Sequence, residues 1–220
     1  MAAMKKRVGI LISGRGSNMV SLLAAAQAHD YPAEIVCVLS NRPEAEGLKK
    51  AEANDVPSRV IDHTAFAGRE AFETELNTVL RSFNVDLVAC AGFMRLMTAD
   101  FVERWRDRML NIHPSLLPAF KGLDTHARAL AAGVKITGCT VHIVRPQMDD
   151  GPIIAQAAVP VLQADTASTL AARVLQAEHE LYPHALALFA SGMVRIEGER
   201  VLGVASAAKP SGPLMWPPLV

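Results

Sequence analysis

Net charge is the first thing this sequence lacks. Its 22 basic side chains are matched by 22 acidic ones, so it carries no electrostatic footprint for nucleic acid or an anionic membrane. Long apolar runs are missing too, since none reaches the roughly 18 residues of a membrane span. The opening MAAMKKRVGILIS has too short an apolar stretch for a signal peptide and no small-residue cleavage site, so VGILI reads as a first strand. Cysteine is sparse: Cys37, Cys90 and Cys139 are odd in number, far apart and without a C-x-x-C. That pattern points to neither a zinc site nor a disulfide framework, and no metal is assigned. Cys37 in EIVCVL and Cys90 in LVACAG read as small buried hydrophobes in a reduced, cytoplasmic compartment.

What is present is a rhythm. Short apolar runs at 8–12, 34–39, 59–61 and 87–91 alternate with helical spacing at 18–29, 45–54 and 69–83. Such alternation marks an α/β fold, a doubly wound, mostly parallel sheet with helices on both faces. Beyond residue 92 the pattern changes: a short helix at 101–106, a strand at 109–113 and a helix at 125–132. Two β-rich runs follow at 138–144 and 153–161, then a long amphipathic helix at 166–189 capped by Asp165 or Thr166, and a hairpin at 193–202 turning at Gly198. There is no internal repeat and no linker of distinct composition. Residues 1–202 are therefore expected to form one domain, with 203–220 as a tail rich in Ala, Ser, Gly and Pro.

Five stretches carry chemistry. The run 13-SGRGSN-18 sits between a strand and a helix, where glycines let backbone N–H groups approach an anion and the helix dipole assists. It lacks the Gly-Lys-Ser/Thr of a P-loop, Met19 stands where a dinucleotide fingerprint has its third glycine, and Ser40-Asn41-Arg42 after the second strand offers no acidic residue for a ribose diol. A single phosphate fits better than a dinucleotide, and a capped glycine turn fits equally well. In 109-MLNIHPSLLPAF-120, a period of two puts Asn111 and His113 on one face at a strand's end, where ligands bind in open α/β sheets. Pro114 stops the ladder. An amide and an imidazole there suit a developing oxyanion; a satisfied histidine ending a strand is the plain alternative. Asp149, in 149-DDG-151, either pairs with His113 and accepts a proton or simply makes a turn. His126 and His142 are further candidates for the same pocket. Glu178 belongs either to the site or to a solvated face with Gln176, His179 and Glu180. Met94, Leu96 and Met97 in 92-GFMRLM-97 are adaptable apolar groups, able to grip a flat aromatic ligand or to pack a loop.

Together these pieces resemble the folate-dependent formyltransferases, most closely those acting on glycinamide ribonucleotide. The likeness rests on LISGRGSN, AGFMRLM, LNIHPSLLPAFKG, DTHARAL, TVHIV, DDGPIIAQ and EHELYP, in unbroken order over roughly residues 7 to 202. It implies a Rossmann-like enzyme that moves a formyl group from 10-formyltetrahydrofolate, as co-substrate, to the amine of glycinamide ribonucleotide in purine synthesis, without a metal. By motif it implies Asn111, His113 and Asp149 as the catalytic trio, and Gly16, Ser17, Asn18 and Glu178 as ribonucleotide contacts. The folate side would be Arg69, Met94, Arg95, Leu96, Met97, Asn111, Arg145 and Asp149. The first half would hold the phosphate, and the second the folate and the catalytic groups. Arg15 stands where the family often has a small residue. Enzymes that formylate methionyl-tRNA or hydrolyse formyltetrahydrofolate share this chemistry but carry a further domain, which is not expected here. A homodimer is left open.

Overall fold

In the computed structural model, which describes residues 4–203, the central strands are the runs whose side chains bury on both faces. In chain order the elements are β1 (Lys6–Ile12), α1 (Ser17–Ala26), β2 (Ala33–Ser40), α2 (Glu46–Glu52), β3 (Ser58–Val60), α3 (Arg69–Ser82), β4 (Leu87–Cys90) and α4 (Ala99–Arg104). They continue with β5 (Met109–His113), α5 (Thr125–Ala131), β6 (Ile136–Ile143), β7 (Ile153–Pro160), α6 (Ala167–Ala190), β8 (Val194–Glu197) and β9 (Arg200–Gly203). The tail assigned to 203–220 lies outside the described residues, apart from Gly203, which ends β9.

Seven strands form one sheet in the order β3-β2-β1-β4-β5-β6-β7. The first five are parallel, as the alternation of strands and helices requires. β6 and β7 then reverse and pair antiparallel. The doubly wound, mostly parallel sheet is thus what forms. The order turns back between β1 and β4, which opens a crevice at the carboxyl ends of the strands. The loops after β1 and β4, carrying the glycines and the methionines, both emerge there.

Two apolar cores cover the sheet. One packs Met19 and Leu22 of α1 and Leu170, Val174, Tyr182 and Leu186 of α6 against β1, β5 and β6. The other packs Phe72, Leu76 and Leu80 of α3, with Trp105, against the opposite face. Tyr182 is fully buried, and its hydroxyl donates toward the carbonyls of Cys90 and Leu110 at 3.0 and 3.3 Å. It fastens α6 to the two strands that lead to the site. α6 starts where Thr166 and Thr169 cap each other reciprocally, so Thr166 is the cap of the two residues expected. Among the described residues, no helix is long and apolar enough to cross a membrane.

Candidate active site

The glycine loop is shaped by close packing. Gly16 adopts φ 67°, and a side chain there would press on the Cα of Gly47 at 2.9 Å. Gly47, at the start of α2, donates its N–H to the Gly14 carbonyl at 3.0 Å. No side chain caps α1 and no acidic residue enters its first turn, so the N–H groups of that turn remain open to an anion. They border a cleft of about 720 Å³ whose walls include Arg15, Gly16, Ser17, Asn18, Arg42, His126 and Glu178. Glu178 is buried, away from the solvated face its helix neighbours suggested. It accepts a hydrogen bond from Asn18 Nδ2 at 2.6 Å. Burial pushes its carboxyl above the usual range, and the Asn18 bond partly offsets this.

Asn111, His113 and Asp149 come together at the end of β5. His113 Nδ1 lies 3.4 Å from one Asp149 oxygen, and His142 Nε2 lies 3.8 Å from the other. His113 Nε2 meets the Phe120 carbonyl at 3.0 Å. A carbonyl only accepts, so Nε2 carries a proton, and Nδ1 faces Asp149. The same logic fixes His142. Its Nδ1 meets the Ile143 carbonyl at 3.0 Å, which makes Nε2 the acceptor for Asn111 Nδ2 at 3.2 Å in the neutral ring. Burial lowers the His142 pKa, which favours that neutral ring. Asn111 and His142 are directly opposed across the β5–β6 ladder, so the antiparallel reversal is what brings them together. Asn111 is held with its amide nitrogen toward His142, leaving its second N–H available.

The SLLP segment builds the support. Ser115 Oγ donates to the Ala119 carbonyl at 2.6 Å, and Thr140 Oγ1 donates to the Ser115 carbonyl at 2.7 Å. Gln156 Nε2 donates to the Leu117 carbonyl at 2.9 Å. The Leu117–Pro118 bond is cis. This network sets the Phe120 carbonyl against His113. Asp149 itself adopts φ 52°, and one of its oxygens accepts the Gly122 N–H at 2.8 Å. Asp150 turns away and pairs with Lys121.

A second, narrower cleft of about 100 Å³ lies on the face of β5 that carries Met109 and Asn111. Phe93, Leu96, Met97, Met148 and Asp149 are among its other walls. Met94 lines the first cleft rather than this one, and Arg95 stacks over Phe72 at 5.7 Å. Two cations of the expected folate set differ in their placement. Arg69 is exposed at the start of α3 and lines neither cleft. Arg145 is buried in the wall of the narrow cleft, but its guanidinium is engaged by Asp107 at 2.8 Å, an ion contact without hydrogen-bond alignment, and by Glu199 at 3.0 Å. It ties the loop bearing Asp149 to the β8–β9 turn. Both carboxylates are partly exposed and can return to water. Arg145→Ala is therefore expected to cost only about 1–2 kcal/mol, read from urea unfolding; an unchanged midpoint would count against the tie. Among the described residues, no cluster of His, Cys, Asp or Glu is arranged to hold a metal ion.

Residues 6–186 match the family model described as formyl transferase. The chain belongs to that family. Within it, the chain groups with the phosphoribosylglycinamide formyltransferases. It is 37% identical to the phosphoribosylglycinamide formyltransferase of Haemophilus influenzae over 192 residues, 87% of this chain and 91% of that one. The crystal structure of phosphoribosylglycinamide formyltransferase from Brucella melitensis is 55% identical, with a TM-score of 0.82, covering 87% of this chain and 98% of that one. The trifunctional purine biosynthetic protein adenosine-3 of Bos taurus is 50% identical over 192 residues, 87% of this chain. The chain spans only 19% of that much longer protein.

Proposed function

We propose that this chain transfers the formyl group of 10-formyltetrahydrofolate to the amine of glycinamide ribonucleotide, within purine biosynthesis in the cytoplasm, and that residues 1–202 form the domain that does so. The observation that supports the reading is the meeting of Asn111, His113 and Asp149 at the end of β5, with Asn111 and Asp149 in the wall of the narrow cleft. Pro114, the residue after His113, lines the wide cleft, and Asn111 lines the narrow one. The wide cleft suits the ribonucleotide, with its phosphate on the first turn of α1. The narrow cleft, with Phe93, Leu96, Met97 and Met148, suits a flat pterin. Its volume is below the usual range of about 300–1,000 Å³ for ligand sites, and the unbranched methionines supply the compliance to widen it.

In this reading the amine lone pair attacks the formyl carbon and the carbonyl π pair moves onto oxygen. Asn111 Nδ2–H and the protonated Nδ1 of His113 hold that oxyanion. The proton released by the attacking nitrogen passes through Asp149 and His113 to N10 of the folate. The carbonyl re-forms as the bond from carbon to N10 breaks, giving formylated ribonucleotide and tetrahydrofolate.

The chain should restore purine-independent growth to a bacterium stripped of its own phosphoribosylglycinamide formyltransferases. Failure of a well-expressed protein to do so would overturn the reading. Glu178→Gln separates the clefts. Losing a charged hydrogen-bond acceptor is expected to raise the ribonucleotide KM about 10–100-fold, with the folate KM unchanged; equal changes in both would contradict the assignment. The same variant tests the electrostatics of burial. A carboxyl whose folded pKa is raised binds its proton more tightly in the folded state, so its stabilisation is complete at low pH and is lost as pH rises through the folded pKa. Glu178→Gln should therefore match the parent at about pH 4 and exceed its stability increasingly toward pH 7. A Tm difference that stays constant with pH would refute this.

A further inference from the structure

The opposite edge of the sheet holds a cavity that the proposed reaction does not use. It measures about 430 Å³ and lies between α3, the turn into β4 and the turn from α4 into β5. Asp86 and Arg108 in its wall immediately precede β4 and β5. This is therefore the amino-terminal edge of the parallel strands, whereas His113 closes β5 at its other end. The cavity shares no wall residue with either cleft of the active site.

Its chemistry is cationic, in a chain of zero net charge. Arg81, Arg104 and Arg108 line it together with a single carboxylate, Asp86. That carboxylate already accepts the backbone N–H of Arg7 at 2.9 Å. Among the described residues, none of these arginines has a carboxylate within ion-pair reach. Arg108 is held in place, donating to the Arg104 carbonyl at 2.7 Å and lying 4.8 Å from the centre of the Trp105 ring. The walls also carry enclosed polar atoms with no protein partner. Nε1 of Trp105, a residue only 3% exposed, is one, and Oδ1 of Asn77 is another. Buried polar groups in folded proteins are nearly always paired, and a further molecule is one explanation for an exception.

We propose that this cavity binds a small phosphorylated anion. Guanidinium groups meet phosphate oxygens through paired N–H donors, and the Trp105 ring under Arg108 lies in the same wall. The size falls within the range of small-molecule sites. An adjoining groove shares Asn77 and Arg104 but carries Glu70, Glu73 and Asp100. Those carboxylates repel a long polyanion extended that way, so the ligand is a compact phosphate or diphosphate rather than a polymer.

The test reads Trp105 Nε1–H by ¹⁵N NMR in a Trp216→Phe background, where it is the sole tryptophan of the original two. Pyrophosphate is titrated against sodium chloride of equal ionic strength. A saturable shift of the indole resonance is expected, with affinity weakened at least about tenfold in Arg81→Gln/Arg104→Gln. No shift beyond the salt control, or an equal titration in a double variant with unchanged circular dichroism, would overturn the proposal. Should the double variant not fold, Arg104→Lys keeps the charge and removes the paired donors. Weaker binding is then expected, and unaltered affinity would count against the site.

Discussion

His113→Ala is expected to lower kcat by about 10²–10³, the cost of removing one oxyanion donor, with little change in either KM. The ring is the one group bonded to the Phe120 carbonyl on one side and facing Asp149 on the other. Removing it leaves that carbonyl without its donor, so some loss of stability, about 1–3 kcal/mol, is expected as well. The two effects are separable. Steady-state kinetics below the unfolding transition report the chemistry, and a thermal melt reports the fold. Near-normal turnover in folded protein would remove His113 from the mechanism.

Asp149→Asn should be as damaging, and it is a cleaner probe than alanine. Asp149 sits at φ 52°, a left-handed conformation that Asn tolerates and Ala does not. Asn also keeps an oxygen to accept the Gly122 N–H. What it removes is the negative charge facing His113 and His142 at 3.4 and 3.8 Å. A positioned proton-transfer group contributes typically about 10²–10⁴ in rate, and kcat should fall within that range while the melting curve stays near that of the parent. A variant that turned over normally would show that the carboxylate serves only the loop. A variant that lost its fold would show the charge to be structural.

The parallel half of the sheet was legible because strands buried on both faces have to be nearly continuous apolar runs, as in VGILI and LVAC. The reversal of β6 was not. Strand direction is set by how the chain returns through α5, and no residue of TVHIV encodes it. That reversal matters for the proposed reaction, because it sets His142 opposite Asn111.

The site divides along similar lines. Asn111 and His113 could be found because side chains alternate along a strand and proline ends the ladder. The groups that orient them, the Phe120 carbonyl and the Gly122 N–H, are backbone atoms, and residue type carries no signal for them. Glu178 was ambiguous because its helix neighbours are polar; only the packing of α6 against α1 buries it. The surroundings of Arg69 and Arg145 were the least legible. Their charge is plain in the sequence, but the direction of a long, flexible side chain is decided by partners distant in the chain, such as Asp107 and Glu199 for Arg145.

The most direct test of the central claim is acceptor dependence. Purified protein is mixed with 10-formyltetrahydrofolate, with or without glycinamide ribonucleotide, and tetrahydrofolate release is followed alongside formylation of the ribonucleotide. Release only when the ribonucleotide is present, in step with its formylation, is the expected result. Equal release into water would make the chain a hydrolase, and no release in either case would leave the trio without the reaction proposed for it.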